Sequence, residues 1–199
     1  MVYRVSFAIF KLLRFVPAPL LHKLGEAAAG LAYHVLRRER RYMRRNLLAA
    51  FPEKTQAEHD AIAWGVFRNV ARHVVQVLLA WRRGRVREAP DLPSRADWDE
   101  LRAKVLEKGA IVITAHLGAW EILGCGFAQH APGRLGVLAH RLRFAPANEW
   151  AERLRNLFGV RVFYNDAPLL AAVRYLKDKN VLGILPDQVP GGGQGVWSS

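Results

Sequence analysis

Reactive nucleophiles are scarce in this chain of 199 residues. Its single cysteine, Cys125, excludes an internal disulfide and any thiolate cluster for zinc or iron–sulfur. One thiol is compatible with a reducing compartment such as the cytoplasm. The four serines are Ser6, Ser94, Ser198 and Ser199. None lies between an expected strand and helix, and no G-x-S-x-G occurs, which disfavours a serine hydrolase. Long apolar runs are lacking too. The longest uncharged piece near the start, "AAAGLAYHVL", has ten residues, whereas a bilayer-spanning helix needs roughly 20. Lys11 and Arg14 interrupt the apolar region that a signal peptide would require.

What the chain does contain is core-forming residues and positive charge. Hydrophobic residues make up 51%, enough for a substantial core and against disorder. The formal charge of +13 is unevenly placed: residues 1–50 hold ten Lys/Arg and two Glu, a net +8. Such a field attracts nucleic acid, anionic headgroups or an acidic protein. The first helix candidate, "VYRVSFAIFKLLRF", gathers Arg4, Lys11 and Arg14 within about a quarter-turn of a 100°-per-residue cylinder. Nearly all its other positions are apolar. A broad apolar face beneath a narrow cationic stripe suits a helix lying in a membrane interface; a helix packed on the domain with three solvated charges is the alternative.

The pattern of residues divides the chain. Residues 1–82 read as a helical region with the interfacial helix and the basic segment, 83–98 as a loop, and 99–199 as an α/β core. In the first part, "FPEKT" breaks the helical pattern at Pro52, and Thr55 can cap the next helix with Glu58 in the capping-box position. That helix carries Ile62, Val66, Val70, Val74, Val77, Leu78 and Trp81 at spacings of three and four. After residue 98 the segments "AIVITAH", "RLGVLAH", "VRVFY" and "VLGILPD" read as strands, each separated from the next by one helix. That alternation predicts a largely parallel sheet flanked by helices. Sites in such sheets lie at the carboxyl ends of the strands. His116, His140 with Arg141, and Asp187 with Gln188 all fall at expected strand ends.

The stretch "TAHLGAWE" concentrates the chemistry. His116 closes a strand and Glu121 follows five positions later, in the first turn of the next helix. With the helix starting near Gly118, the Glu121 carboxylate can fold back toward the imidazole. A carboxylate on one ring nitrogen fixes the tautomer and makes the other nitrogen a better base. A core histidine beside a dipole-stabilised glutamate is the competing reading. Cys125, within the helix in "GCGF", reads as a packing residue. With no nucleophile on the protein, such a base would deprotonate a hydroxyl of a substrate. No metal is expected, since His116 and Glu121 offer two ligands without helical i, i+4 spacing. The glycine-rich "VPGGGQG" lacks the lysine and following helix of a phosphate loop.

The blocks of this chain resemble those of the bacterial lipid A biosynthesis (lauroyl/myristoyl) acyltransferases, within the wider lysophospholipid and glycerolipid acyltransferases. "HLGAWE" is similar to their H-x-x-x-x-[DE] block, and "RRYMRRNLLAAFPEKTQAE" to their basic segment with Asn-Leu and Phe-Pro-Glu. "LAHRLRFAPANEW" resembles a second block with an Arg and a Pro five positions on, here Arg141 and Pro146, with Ala145 where the family usually has Asn. "RLRNLFG" fits Arg-x-x-x-Gly as Arg155 and Gly159, and "GILPDQ" resembles the Asp-Gln block. The matches run in order from about residue 45 to 190, and the chain looks like the amino-terminal two-thirds of such a protein.

The resemblance implies an O-acyltransferase that moves a fatty acyl chain from acyl carrier protein or coenzyme A to a lipid hydroxyl, the thioester being co-substrate and no further cofactor being needed. His116 would take the acceptor's proton and Glu121 would orient it. Arg141 and Arg155 would bind anionic groups or brace the site, unless they are surface charges, and Asp187 and Gln188 would shape the pocket edge, unless they form a plain turn. Implied partners are a membrane lipid acceptor, acyl carrier protein and an anionic membrane surface. The implied location is the cytoplasmic face of the bacterial inner membrane, peripheral or monotopic. A lysophospholipid or another glycolipid is an alternative acceptor, and a catalytically dead membrane-associated fragment is a further alternative. A basic nucleic-acid module is the competing class, but "RRERRYMRR" offers only Tyr42 for base stacking, so no nucleic acid is expected.

Overall fold

The computed structural model describes residues 12–13, 15–87, 92–141 and 145–187. The first helix candidate therefore falls almost wholly outside the described residues, as do Gln188 and the glycine-rich tail. The chain divides into two compact units, residues 1–82 and 83–199.

The helical unit holds α1 (Ala18–Val35), α2 (Arg37–Ala50) and most of α3 (Gln56–Arg83). Pro17 and Pro19 open α1, where the missing amide hydrogens go unneeded. Leu36 leaves helical geometry, with φ −81° and ψ 64°, and so separates α1 from α2. The reciprocal capping box at the start of α3 forms as its sequence predicts: the Thr55 N–H donates to Glu58 at 2.8 Å, and the Glu58 N–H donates to Thr55 Oγ1 at 3.3 Å. Leu21, Val75, Leu78 and Leu79 form the buried cluster. Gly25 lets α1 approach α3 closely, because a Cβ there would lie 2.9 Å from Val75 Cγ2. Ion pairs tie α3 to both of the other helices: Arg68 and Arg72 to Glu26 of α1, and Asp60, through both oxygens, to Arg44 of α2.

One expectation for α3 needs correction. Leu78 of the expected apolar stripe is buried, but Val66, Val70 and Val74 are exposed. The buried positions instead include Ala63, Phe67, Val75, Leu78 and Leu79. A 28-residue helix carries apolar residues on more than one side, and the ring of Phe67, edge-on to Tyr33 at 5.5 Å, belongs to the packed one.

The second unit is an α/β layer with α4 (Arg95–Lys108), β1 (Ala110–Ile113), α5 (Trp120–His130), β2 (Leu135–Ala139), α6 (Ala145–Leu157), β3 (Arg161–Tyr164), α7 (Leu170–Lys177) and β4 (Val181–Ile184). The loop expected over 83–98 ends earlier than its proline and glycine content suggests. Ser94 caps α4, and its hydroxyl and amide are engaged with Asp97 in a second capping box. The S-x-x-D spacing was the available signal.

The four strands are all parallel, in the order β1-β4-β2-β3. β4 thus lies between β1 and β2, pairing Ala110 with Val181 on one side and Leu135 with Val181 on the other. Phe163, Ala172, Tyr175 and Leu182 form a buried cluster between α7 and the sheet. Gly136 makes room for it: a Cβ there would sit 2.7 Å from the Phe163 ring and 2.9 Å from that of Tyr175. In contrast, Ile111, Val112 and Ile113 of the edge strand β1 are exposed.

Candidate active site

In a parallel sheet every strand delivers its following loop to the same edge. Here those loops carry His116 after β1, His140 and Arg141 after β2, Asn165 and Asp166 after β3, and Asp187 after β4. Because β4 lies beside β1, their loops are neighbours. The Thr114 N–H donates to Ile184 O at 3.0 Å, just past the last Cα pair Ile113–Ile184, and each chain carries its site residue three positions beyond that pair, His116 on one and Asp187 on the other.

Asp187 takes hold of His116 twice. One carboxylate oxygen accepts from the His116 backbone N–H at 2.9 Å, and the other lies 2.8 Å from the ring Nδ1. These bonds, the backbone one foremost, hold the Asp187 carboxyl below the usual aspartate range. An ionised carboxylate only accepts, so Nδ1 carries the hydrogen and Nε2 the lone pair. Nε2 has no hydrogen bond among the described residues. The ring is also set edge-on to Trp120, with centroids 5.1 Å apart. About a third of each side chain of the pair is exposed, so the imidazole is accessible to a substrate.

The structure does not put Glu121 on His116. Its carboxylate is held through both oxygens by Arg155, whose Nε donates at 3.2 Å and whose Nη2 makes a shorter bond. The physical reason is twofold. Helix α5 begins at Trp120, after a turn in which Gly118 takes φ +58°, so Glu121 is its second residue. The Glu121 side chain is only 19% exposed, and a carboxylate so far from water requires a counter-charge. Arg155, in the last turn of α6 and 17% exposed, supplies it. Arg155 thus ties α6 to the Glu121 carboxylate of α5.

Arg141 belongs to a separate group at the same edge. Its Nε donates to Asp166 at 3.0 Å, and its guanidinium lies 3.9 Å from the centre of the Tyr164 ring. The Tyr164 hydroxyl donates to Glu152, and burial first, then that bond, pushes its ionisation up. His140 Nδ1 lies 2.9 Å from Asn165 Oδ1. Arg141 makes no hydrogen bond or ion pair with His116, Glu121, Arg155 or Asp187 among the described residues. The sequence had not singled out Asn165, Asp166, Tyr164 or Glu152. The first two carried a usable signal, as a polar pair at a strand end.

Cys125 is not a nucleophile. Burial, with the Glu121 charge adding to it, pushes its thiol up to about 12. No group of three metal-binding side chains occurs among the described residues. The edge of the sheet therefore presents an oriented imidazole with no nucleophilic side chain bonded to it among the described residues, an arrangement able to activate a substrate's own hydroxyl.

The family model described as bacterial lipid A biosynthesis acyltransferase matches residues 2–198, and the chain belongs to that family. It is 24% identical over 177 residues to the lipid A biosynthesis lauroyltransferase of Escherichia coli (strain K12), a match covering 86% of this chain. The match spans 55% of that protein's length.

Proposed function

We propose that the protein is an O-acyltransferase that moves a fatty acyl chain from an acyl thioester to a hydroxyl of a lipid A-type glycolipid. The observation that carries this reading is the His116 ring, with Nδ1 on the Asp187 carboxylate and Nε2 left to accept a proton. Nε2 takes the proton of the acceptor hydroxyl as its oxygen attacks the thioester carbonyl carbon. The C–S bond then breaks, and the imidazolium returns the proton to the departing sulfur. The acyl chain never rests on the protein, in keeping with the buried, protonated Cys125. Family membership and the E. coli lauroyltransferase match support a lipid A-type acceptor.

The donor is acyl carrier protein or coenzyme A, and the protein works at the cytoplasmic face of the inner membrane without spanning it. No helix of the described residues is long and apolar enough to cross a bilayer. Helix α2 buries none of its residues, and Arg37, Arg41 and Arg45 have no acidic partner among the described residues. That surface suits an acidic carrier protein or anionic headgroups.

The test is incubation of the protein with acyl carrier protein thioesters, or their coenzyme A counterparts, and a panel of lipids. Mass spectrometry should find one added acyl chain on a glycolipid hydroxyl. Acylation confined to lysophospholipids would keep the chemistry and replace the acceptor. Release of free fatty acid alone would make water the acceptor and end the transferase reading.

A further inference from the structure

The site contains two carboxylates with a claim on His116, and the structure separates their duties. Glu121 is nearer in sequence, yet both of its oxygens are occupied by the Arg155 fork. Asp187 is 71 residues away, yet it binds the histidine at the amide and at Nδ1. Two bonds from one residue to one carboxylate fix the loop and the ring together. The Asp187 oxygen at the amide sets where the backbone of residue 116 sits, and the other sets the ring's rotation about its χ angles. Glu121, in contrast, joins the start of α5 to the end of α6 through a part-buried ion pair.

We propose that Asp187 is the positioning residue of His116: it holds the hydrogen on Nδ1 and thereby keeps the Nε2 lone pair on the substrate side. Glu121 then acts on the site only through Arg155 and the tie this pair makes between α5 and α6. The proposal rests on His116 being the base of the acyl transfer, but its central observable, the tautomer, is independent of that activity.

The experiment uses protein labelled with nitrogen-15 in its histidine rings, the His116 signals being assigned with a His116→Gln variant. At about pH 8, where an ordinary imidazole is neutral, the ring nitrogen shifts report which nitrogen carries hydrogen. His116 should be the Nδ1–H tautomer in the unaltered protein. Asp187→Asn should move the hydrogen toward Nε2, because an amide NH2 can donate to Nδ1, while Glu121→Gln should leave the tautomer as it was. In acyl transfer, Asp187→Asn should lower kcat by about 10²-fold with KM little changed.

An Nε2–H tautomer in the unaltered protein would overturn the proposal, and so would a tautomer that responds to Glu121→Gln but not to Asp187→Asn. If Asp187→Asn does not fold, the tautomer of the unaltered protein decides by itself. The expected tautomers in a protein that transfers no acyl group to any lipid would leave the pairing standing and remove the transferase reading instead.

Discussion

Asp187 meets His116 at two points, the backbone amide at 2.9 Å and the ring Nδ1 at 2.8 Å, across 71 residues of sequence. The contact exists because β4 enters the sheet beside β1. It brings the loops after those two strands to a common place, where a carboxylate holds an imidazole by both its backbone and its ring.

His116→Ala should lower acyl transfer by about 10²–10⁴-fold, the span usual for loss of a general base. The ring is partly exposed, so the fold should survive. Turnover of an acyl thioester with a lipid acceptor, read beside a thermal melt, checks both halves. Near-normal turnover would remove His116 from the chemistry.

Asp187 also makes stability depend on pH. Its carboxyl is held below the ordinary value by the His116 bonds, so folding favours the ionised form. The contribution is present above the unfolded pKa of about 3.9 and is lost as pH falls through the lower folded value. Asp187→Asn should thus destabilise at pH 7, and its difference from the unaltered protein should shrink on acidification. Urea midpoints measured from neutral to strongly acidic pH would reveal it; a constant difference across that range would contradict the linkage.

For the Glu121–Arg155 pair the expected signature is non-additivity. Removing one partner leaves the other charge part-buried and unpaired, a loss of about 1–3 kcal/mol. Glu121→Ala and Arg155→Ala should each be costly, and the double variant should cost clearly less than their sum. Denaturant titrations of the four proteins close the cycle, and additive losses would mean that the two residues are energetically independent.

Cys125 should be chemically silent. With the thiol pushed up to about 12, roughly one molecule in 10⁴ carries the thiolate at pH 8. Iodoacetamide should alkylate the denatured chain readily and the folded chain hardly at all. Cys125→Ala should retain acyl transfer, and a loss of activity without a loss of stability would give the thiol a chemical role.

Residues 1–21 are expected to lead peripheral membrane binding, through the apolar face and cationic stripe of "VYRVSFAIFKLLRF". Flotation with neutral and anionic vesicles should recover the protein far better with those residues than without them. Equal recovery of both forms would discard the idea, and strong salt-sensitive binding of added DNA would revive a nucleic-acid role.

Much of the fold was legible in the chain because local patterns carry it. The strand runs, the single helices between them and the Thr55–Glu58 cap all depend on neighbours within a few residues. Strand order does not. Nothing between residues 110 and 187 announces that the fourth strand sits beside the first, so Asp187 could be marked as a strand-end group without its partner being visible. Glu121 shows the converse. Its spacing pointed to His116, but the pairing depended on where α5 begins and on Arg155, 34 residues away. Long-range pairing decides which polar groups meet, and one sequence read locally does not contain it.

The insertion of β4 also sets the order in which the protein can be finished. Both sheet neighbours of β4 precede it in the chain, and among the described residues β1 hydrogen-bonds to no other strand. At roughly 5–20 residues per second, a ribosome takes about 4–14 s to travel the 71 residues from His116 to Asp187. Throughout that interval β1 waits unpaired and the imidazole has no carboxylate to orient it. A nascent or interrupted chain that lacks the fourth strand holds the histidine without its partner. Sheet pairing of β1 and orientation of the His116 ring by Asp187 are therefore a single event in the life of the molecule.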